Sequence, residues 1–88
     1  MDGAPAARPE AGGGVSDEEM STRQQAACAR MIVEVGARGC ALTIEKDEVT
    51  VYEPLPKRHG RHSHHRGASL YWRLSQALGT AKEWNAEP

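Results

Sequence analysis

The stretch CALTIEKDEVTVYE, residues 40–53, decides the fold of this chain. Apolar side chains stand at alternate positions on both sides of a short polar break: Leu42, Ile44, Val49 and Val51. Two runs of this period, rich in β-branched residues, predict a β-hairpin. Because Lys46-Asp47 lacks the glycine that two-residue hairpin turns prefer, we expect a looser loop of about three to five residues. Pro54 and Pro56 then end the second strand.

The residues before the hairpin predict an amphipathic helix. Capping boxes begin at Ser16 and at Ser21, so the helix starts at one of two places about one turn apart. Apolar and small residues then recur at helical spacing: Met20, Ala27, Cys28, Met31, Ile32 and Val35. That spacing places them on one buried face. Gly36 and Gly39 supply a stop.

A second helix is predicted near the end of the chain. Ser69 has the side chain of an N-cap, and the helix runs from Leu70 to about Ala81 or Trp84. Its apolar stripe is formed by small and aliphatic residues: Leu70, Leu74, Ala77, Leu78 and Ala81. At about 100° per residue Trp84 falls near this stripe, whereas Trp72 falls about 200° from Leu70, on the opposite face.

Together these segments predict one small α+β domain over residues 16–88, in the order helix, β-hairpin, basic loop, helix. A two-stranded hairpin is marginal by itself, so we expect both helices to pack on one of its faces as a two-layer unit. Residues 1–15 are mostly Gly, Ala and Pro and predict a disordered tail. Open strand edges and a small core also lead us to expect a homodimer, through a hairpin edge or a helix face.

The segment KRHGRHSHHR, residues 57–66, lies in the basic loop predicted over residues 57–67. Its fixed positive charges and its histidines are Lys57, Arg58, Arg61, Arg66, His59, His62, His64 and His65. The chain has 11 basic and 12 acidic residues, so without these four cations 7 basic residues face 12 acidic ones, a net charge of −5. The sequence therefore predicts a cationic loop on an anionic body.

Three interpretations of the basic loop stay open. It is a solvated connector, since charge runs often serve solubility alone. Alternatively it binds a polyanion, because Lys and Arg neutralise phosphates and the loop leads into a helix N-terminus. Four phosphate contacts would then give log affinity a slope of about −3.6 against log salt. In the third interpretation the imidazoles bind a transition metal, but the paired Cys and His spacing of zinc sites is missing, so we assign no metal ligands.

Two aromatic residues follow the basic loop. If the apolar stripe of the second helix is right, Trp72 is turned to solvent and Tyr71 lies at the boundary. An exposed Trp beside cationic side chains is typical of single-stranded nucleic acid binding or of protein-interface hot spots. The alternative is that the loop folds back over Trp72, or that the first helical turn is irregular.

Several function classes are disfavoured by the sequence. It contains no Gly-rich phosphate loop, no CxxC pair and no Ser nucleophile elbow, so we expect neither an enzyme nor a cofactor. Cys28 and Cys40 do not make a disulfide framework. The chain has no apolar run long enough for a membrane span and no signal-peptide pattern, so we expect a cytoplasmic protein.

The expected function is macromolecule binding without catalysis. The binding residues would come from the basic loop and the aromatic pair: Lys57, Arg58, His59, Arg61, His62, His64, His65, Arg66, Tyr71 and Trp72. Their partner would be a nucleic acid or a nucleic-acid-associated protein. In size and composition the chain is also similar to accessory proteins of phages and mobile elements, which implies an anti-CRISPR-like inhibitor or adaptor acting by protein contact. A His-rich metal-binding protein is the third hypothesis.

Overall fold

The computed structural model describes residues 15–53 and 60–87. A short 3₁₀ turn precedes two helices and three strands, which follow in chain order: Asp17–Glu19, then α1 (Thr22–Ala37), β1 (Ala41–Ile44), β2 (Glu48–Tyr52), β3 (His62–Arg66) and α2 (Leu70–Ala86). The strands form one antiparallel sheet in the order β1-β2-β3. This confirms the predicted α+β class. The predicted tail, apart from Val15, lies outside the described residues, as do Lys57, Arg58 and His59.

Both predicted capping boxes are present, each at the start of its own element. The Ser16 N–H donates to Glu19 Oε1 at 3.1 Å and starts the 3₁₀ turn. The Ser21 N–H donates to Gln24 Oε1 at 3.0 Å, and the Gln24 N–H donates back to Ser21 Oγ at 3.1 Å. Because Met20 between them has an extended backbone, α1 begins only at Thr22. The ambiguity in the sequence therefore reflects two consecutive helical starts.

The sequence also predicts where α1 ends, how β1 connects to β2 and where α2 begins. Helix α1 stops at Ala37, and Gly39 adopts a left-handed φ of 83° that other residues rarely accept. The β1–β2 connection has three residues between strand ends, as the lysine–aspartate break predicts. Helix α2 is capped as expected, since Ser69 Oγ accepts the Trp72 N–H at 3.1 Å.

The prediction of a loop over residues 57–67 is wrong for residues 62–66. These residues form β3 and extend the hairpin to a three-stranded sheet. Strand β2 is the central strand, and its second edge needs hydrogen-bonding partners that a solvated loop would not supply. The segment escaped recognition because its side chains are polar on both faces, so its period of two does not appear as alternation of apolar and polar residues.

The helices and the sheet enclose one core. Val49 and Val51 of β2 are fully buried against α2, together with Leu74, Ala77 and Ala81 of that helix. Helix α1 adds its own buried positions, and several partly buried residues pack around the cluster: Cys28, Val35, Met20, Met31, Cys40, Leu42, Leu70 and Tyr71. The predicted stripes of both helices therefore contribute to the core, as does Trp84, whereas Ile32 of the predicted α1 stripe is exposed.

Trp72 is half-buried instead of being turned to solvent. The first turn of α2 is enclosed on more sides than the apolar stripe alone predicts, since Ser69 and Arg73 are both buried. The Arg73 guanidinium donates to Asp17 Oδ2 at 3.2 Å and to the Gly67 carbonyl, and the Leu70 N–H donates to Asp17 Oδ1 at 2.6 Å. The 3₁₀ turn thus binds the N-terminal end of α2.

Candidate binding face of the sheet

Strand β3 divides the basic segment between the two faces of the sheet. Alternate residues of a strand point to opposite faces. His65 pairs with the fully buried Val49, so it lies on the helix-covered inner face. His62, His64 and Arg66 point the other way. Residues that are continuous in sequence therefore belong to two different environments.

We define the outer face as the side of the sheet opposite the helices. Each strand contributes to it: Ala41, Thr43, Glu48, Thr50, Tyr52, His62, His64 and Arg66. In the described part of the chain, both helices pack on the opposite face, and most outer-face side chains are exposed. The register sets Tyr52 beside His62, Thr50 beside His64 and Glu48 beside Arg66. Three of the candidate residues thus meet on one surface.

A row of rings crosses the outer face. The Tyr52 and His62 ring centroids lie 5.9 Å apart, with their planes inclined by 33°. The His62 and His64 rings follow at 5.1 Å in an edge-to-face arrangement. Tyr52 Oη also lies 3.4 Å from Thr43 Oγ1. Tyr52 was missed as a site residue because it belongs to the predicted hairpin and becomes relevant only when β3 is paired beside it.

Glu48 organises the other end of the outer face. Its Oε2 lies 2.7 Å from His64 Nδ1, and its Oε1 accepts hydrogen bonds from the Arg66 guanidinium at 3.1 Å. Thr50 Oγ1 donates to Glu48 Oε2 at 3.2 Å. Desolvation alone would raise the pKa of the Glu48 carboxyl, but the hydrogen bonds of His64 and Thr50 and the nearby positive charges hold it below its usual value. The carboxylate therefore orients both the His64 and the Arg66 side chains.

This cluster is not arranged as a nucleophile–base–acid relay. Thr50 Oγ1 lies 2.8 Å from His64 Nδ1, which is the same ring nitrogen that Glu48 contacts. A relay of the Ser-His-Asp type needs the hydroxyl and the carboxylate on opposite nitrogens of the imidazole. The arrangement instead fixes the ring and leaves Nε2 as the nitrogen that the cluster does not engage.

Arg61 is committed to contacts within the fold. Its guanidinium donates to Glu53 Oε1 at 3.1 Å and to Glu87 Oε1 at 2.8 Å, and it lies 5.3 Å from the centre of the Trp84 ring. Glu53 is 5% exposed, so Arg61 compensates a buried carboxylate. The hydrogen bonds that Arg61 donates to both glutamates raise its pKa. Arg61 therefore joins the strands to the C-terminal end of α2.

The remaining candidates lie on or near the inner side. His65 Nε2 is 3.1 Å from Thr80 Oγ1 of α2, and burial together with the charge of His64 lowers its pKa. Tyr71 packs against the core, and Trp72 is half-buried. None of these three residues belongs to the outer face, and His65 and Tyr71 contribute to packing on the inner side.

Arg73 of α2 is a buried, ion-paired residue that was not identified from the sequence. This buried arginine lies about 60° from Leu70 on the helical wheel, at the edge of the predicted apolar stripe. A charged residue at such a position needs a partner, and that signal was available. The partner is Asp17 of the 3₁₀ turn.

Within residues 15–53 and 60–87, no group of three or more His, Cys, Asp or Glu side chains is placed to hold a metal ion. Neither of the two described helices has the length and apolarity that crossing a bilayer requires. Comparisons with protein-family models, with curated proteins and with solved structures found no match. We therefore interpret the outer face from its geometry alone.

Proposed function

We propose that this chain is a non-enzymatic nucleic-acid-binding module that binds single strands on the outer face of its sheet. The observation that carries the proposal is the row of Tyr52, His62 and His64 rings beside Arg66 on a face left open by the described helices. Proteins that bind single strands combine aromatic side chains on which bases stack with cations that follow the backbone.

The geometry favours unpaired bases over a duplex. The rings are spread over neighbouring positions of a sheet surface, where splayed bases can reach their faces or edges. A duplex hides its base faces and offers mainly phosphates, which attract cations and repel the net charge of −5 on the rest of the chain. A single strand crossing the outer face meets the rings first.

Three cations support this binding mode. The Arg66 side chain lies at the edge of the outer face. It contacts Glu48 and is still 78% exposed. Lys57 and Arg58 belong to the segment that joins β2 to β3. Arg61 drops out of the set because two carboxylates already accept its hydrogen bonds. At about 0.7 per charge, three contacts to a single strand give a salt slope of about −2.1, flatter than the sequence alone suggests.

The direct test replaces Tyr52 and measures binding of a labelled single-stranded oligonucleotide. Tyr52→Ala removes one stacking ring, worth about 1–3 kcal/mol, and should weaken binding by about 5- to 150-fold. Tyr52→Phe keeps the ring and loses the contact with Thr43, so it should bind like the wild type. Both proteins are compared by fluorescence anisotropy after circular dichroism has shown that they are folded.

Two outcomes contradict the proposal. The first is the absence of oligonucleotide binding at low salt by the intact chain. The second is equal affinity of Tyr52→Ala and the wild type, which would remove the outer face from the interaction.

The second candidate function is that of a protein inhibitor or adaptor, of the phage type, in the cytoplasm. Val33 and the adjacent Ile32 favour it, since these two aliphatic side chains on α1 are 71% and 39% exposed and together form an apolar patch. Affinity capture from the native host, with one arm treated with nuclease, separates the two candidates. A stoichiometric protein that survives nuclease and is lost with Val33→Lys supports the inhibitor, whereas loss of all captured protein on nuclease treatment supports the nucleic-acid module.

A further inference from the structure

The two edges of the sheet are built differently. Strand β3 carries His62, His64 and Arg66 along one edge, and such charged or polar side chains discourage pairing with another strand. Strand β1 forms the other edge with the sequence ALTI, which contains neither a charged residue nor a proline. In the described part of the chain, no further strand pairs with the β1 edge, which lacks the charged side chains and the proline that discourage strand addition.

The hydrogen-bond pattern shows which groups of β1 point outward. The Glu45 N–H donates to the Glu48 carbonyl at 2.8 Å, just beyond the end of the ladder between β1 and β2. In an antiparallel pair, hydrogen-bonded positions alternate with non-bonded ones. Thr43 and Ala41 therefore direct their peptide groups to β2, whereas Leu42 and Ile44 direct theirs to the free edge.

Apolar side chains lie beside this free edge. Ile44 is opposite the fully buried Val49 in the register, so it lies on the inner face, yet it is 45% exposed. Ile32 of α1 is 39% exposed. It lies about 100° round the helix from Met31, whose sulfur contacts Ser75 of α2, and so occupies the side of α1 away from α2. Helix α1 packs on β1 but leaves these two side chains partly uncovered.

We propose that a second copy of this chain pairs with β1 in antiparallel orientation and extends the sheet to six strands. The peptide groups of Leu42 and Ile44 point to the free edge. All of them form hydrogen bonds in the register that pairs Leu42 with Ile44 of the other copy. Thr43 then lies on the two-fold axis, opposite its own equivalent. On the inner face, each Ile44 packs beside the other copy's Leu42.

The charges beside β1 favour the antiparallel arrangement. Glu45, Lys46 and Asp47 give a net charge of −1 just after the strand. Arg38, just before the strand, is already paired with Glu34 of its own chain at 3.1 Å. Parallel pairing would bring the two negative strand ends together, whereas antiparallel pairing places them at opposite ends of the joined strands. The β1 edge can thus pair with itself without bringing like charges together, as an interface with two-fold symmetry requires.

The inference is tested by measuring the mass of the chain in solution without any oligonucleotide, so its outcome is separate from that of the proposed nucleic-acid binding. Light scattering over a concentration series should give about 19 kDa, twice the 9.6 kDa of one chain. Ile44→Lys, with the lysine chain able to reach solvent, should return the mass to that of a monomer. Val33→Lys on the exposed side of α1 is the matched control and should remain a dimer.

The register has a test of its own at Thr43. This residue is exposed on the outer face, so Thr43→Lys and Thr43→Glu should both fold. Like charges directly opposite each other destabilise a strand pair. Each variant alone should therefore be monomeric, and an equimolar mixture should recover the dimer.

Three outcomes would overturn the inference. These are a monomeric wild type up to its limit of solubility, a dimer that survives Ile44→Lys and dissociates with Val33→Lys, and a dimer that is indifferent to both charges at Thr43.

Discussion

The two faces of strand β3 use the same kinds of residue for different purposes. On the inner side, His65 bonds to Thr80 of α2, and Arg61, just before the strand, bonds to two carboxylates beside Trp84. On the outer side, His62 and His64 continue the ring row, with Arg66 exposed next to Glu48. One basic segment thus supplies structural contacts to one face and the proposed binding surface to the other.

The difference between the two faces shows that a dense run of basic residues in the sequence does not by itself locate a binding site. The net attraction of a cation for a ligand depends on the partners it already has, and Arg61 has two acidic ones. The alternation of a strand decides which residues meet those partners. Substitutions on the two sides of β3 should therefore separate stability from binding.

The largest effect is expected at Arg61. Arg61→Ala removes the guanidinium hydrogen bonds of the buried Glu53 carboxylate and uncovers the Trp84 ring, and breaking a buried ion pair is strongly destabilising. The melting temperature followed by circular dichroism should fall by several degrees. Arg66→Ala removes the same side chain from the exposed side and should melt close to the wild type. Equal melting temperatures of these two variants would contradict the division between the faces.

A smaller effect is expected in the salt dependence of binding. Arg66→Ala removes one phosphate contact, so the slope of log affinity against log salt should become less steep by about 0.7 for a single-stranded ligand. Arg30→Ala is the matched control, because Arg30 is an exposed arginine of α1 away from the outer face. Both slopes come from anisotropy titrations at several salt concentrations. An unchanged slope for Arg66→Ala would place the phosphates elsewhere.

The smallest effect concerns pH and the inner histidine. Burial and the charge of His64 lower the pKa of His65 in the folded chain, whereas in the unfolded chain it titrates near its ordinary value of about 6.5. As the pH falls below that value, the unfolded state binds more protons than the folded state, so stability decreases. Denaturant unfolding between about pH 8 and pH 5 should show this loss. His65→Gln, which keeps a group for Thr80, should reduce it, and an identical pH profile for this variant would exclude His65 as its source.

The elements with apolar periodicity could be predicted from the sequence. The hairpin, both helices and the Ser69 cap follow from alternation, stripes and capping residues, because each depends on local chemistry or on burial of one face. The capping boxes at Ser16 and Ser21 were equally informative, since one begins the 3₁₀ turn and the other begins α1.

The third strand and the site could not be predicted in the same way. Strand β3 is held by the second edge of β2 and not by an apolar pattern of its own, so HSHHR gives no periodic signal. The outer face follows from that pairing, which is why Tyr52 was overlooked as a neighbour of His62. Arg73 differs, because a charge at the edge of an apolar stripe was a visible sign that a partner existed.

The most direct measurement compares His64→Ala with His65→Ala, two neighbouring residues of the same type on opposite faces. Oligonucleotide affinity and thermal stability are measured for each folded protein. The outer-face account predicts that His64→Ala weakens binding at nearly unchanged stability. For His65→Ala it predicts unchanged affinity and a loss of about 1 kcal/mol of stability with the Thr80 hydrogen bond. Weakened binding in folded His65→Ala, with full affinity in His64→Ala, would contradict it.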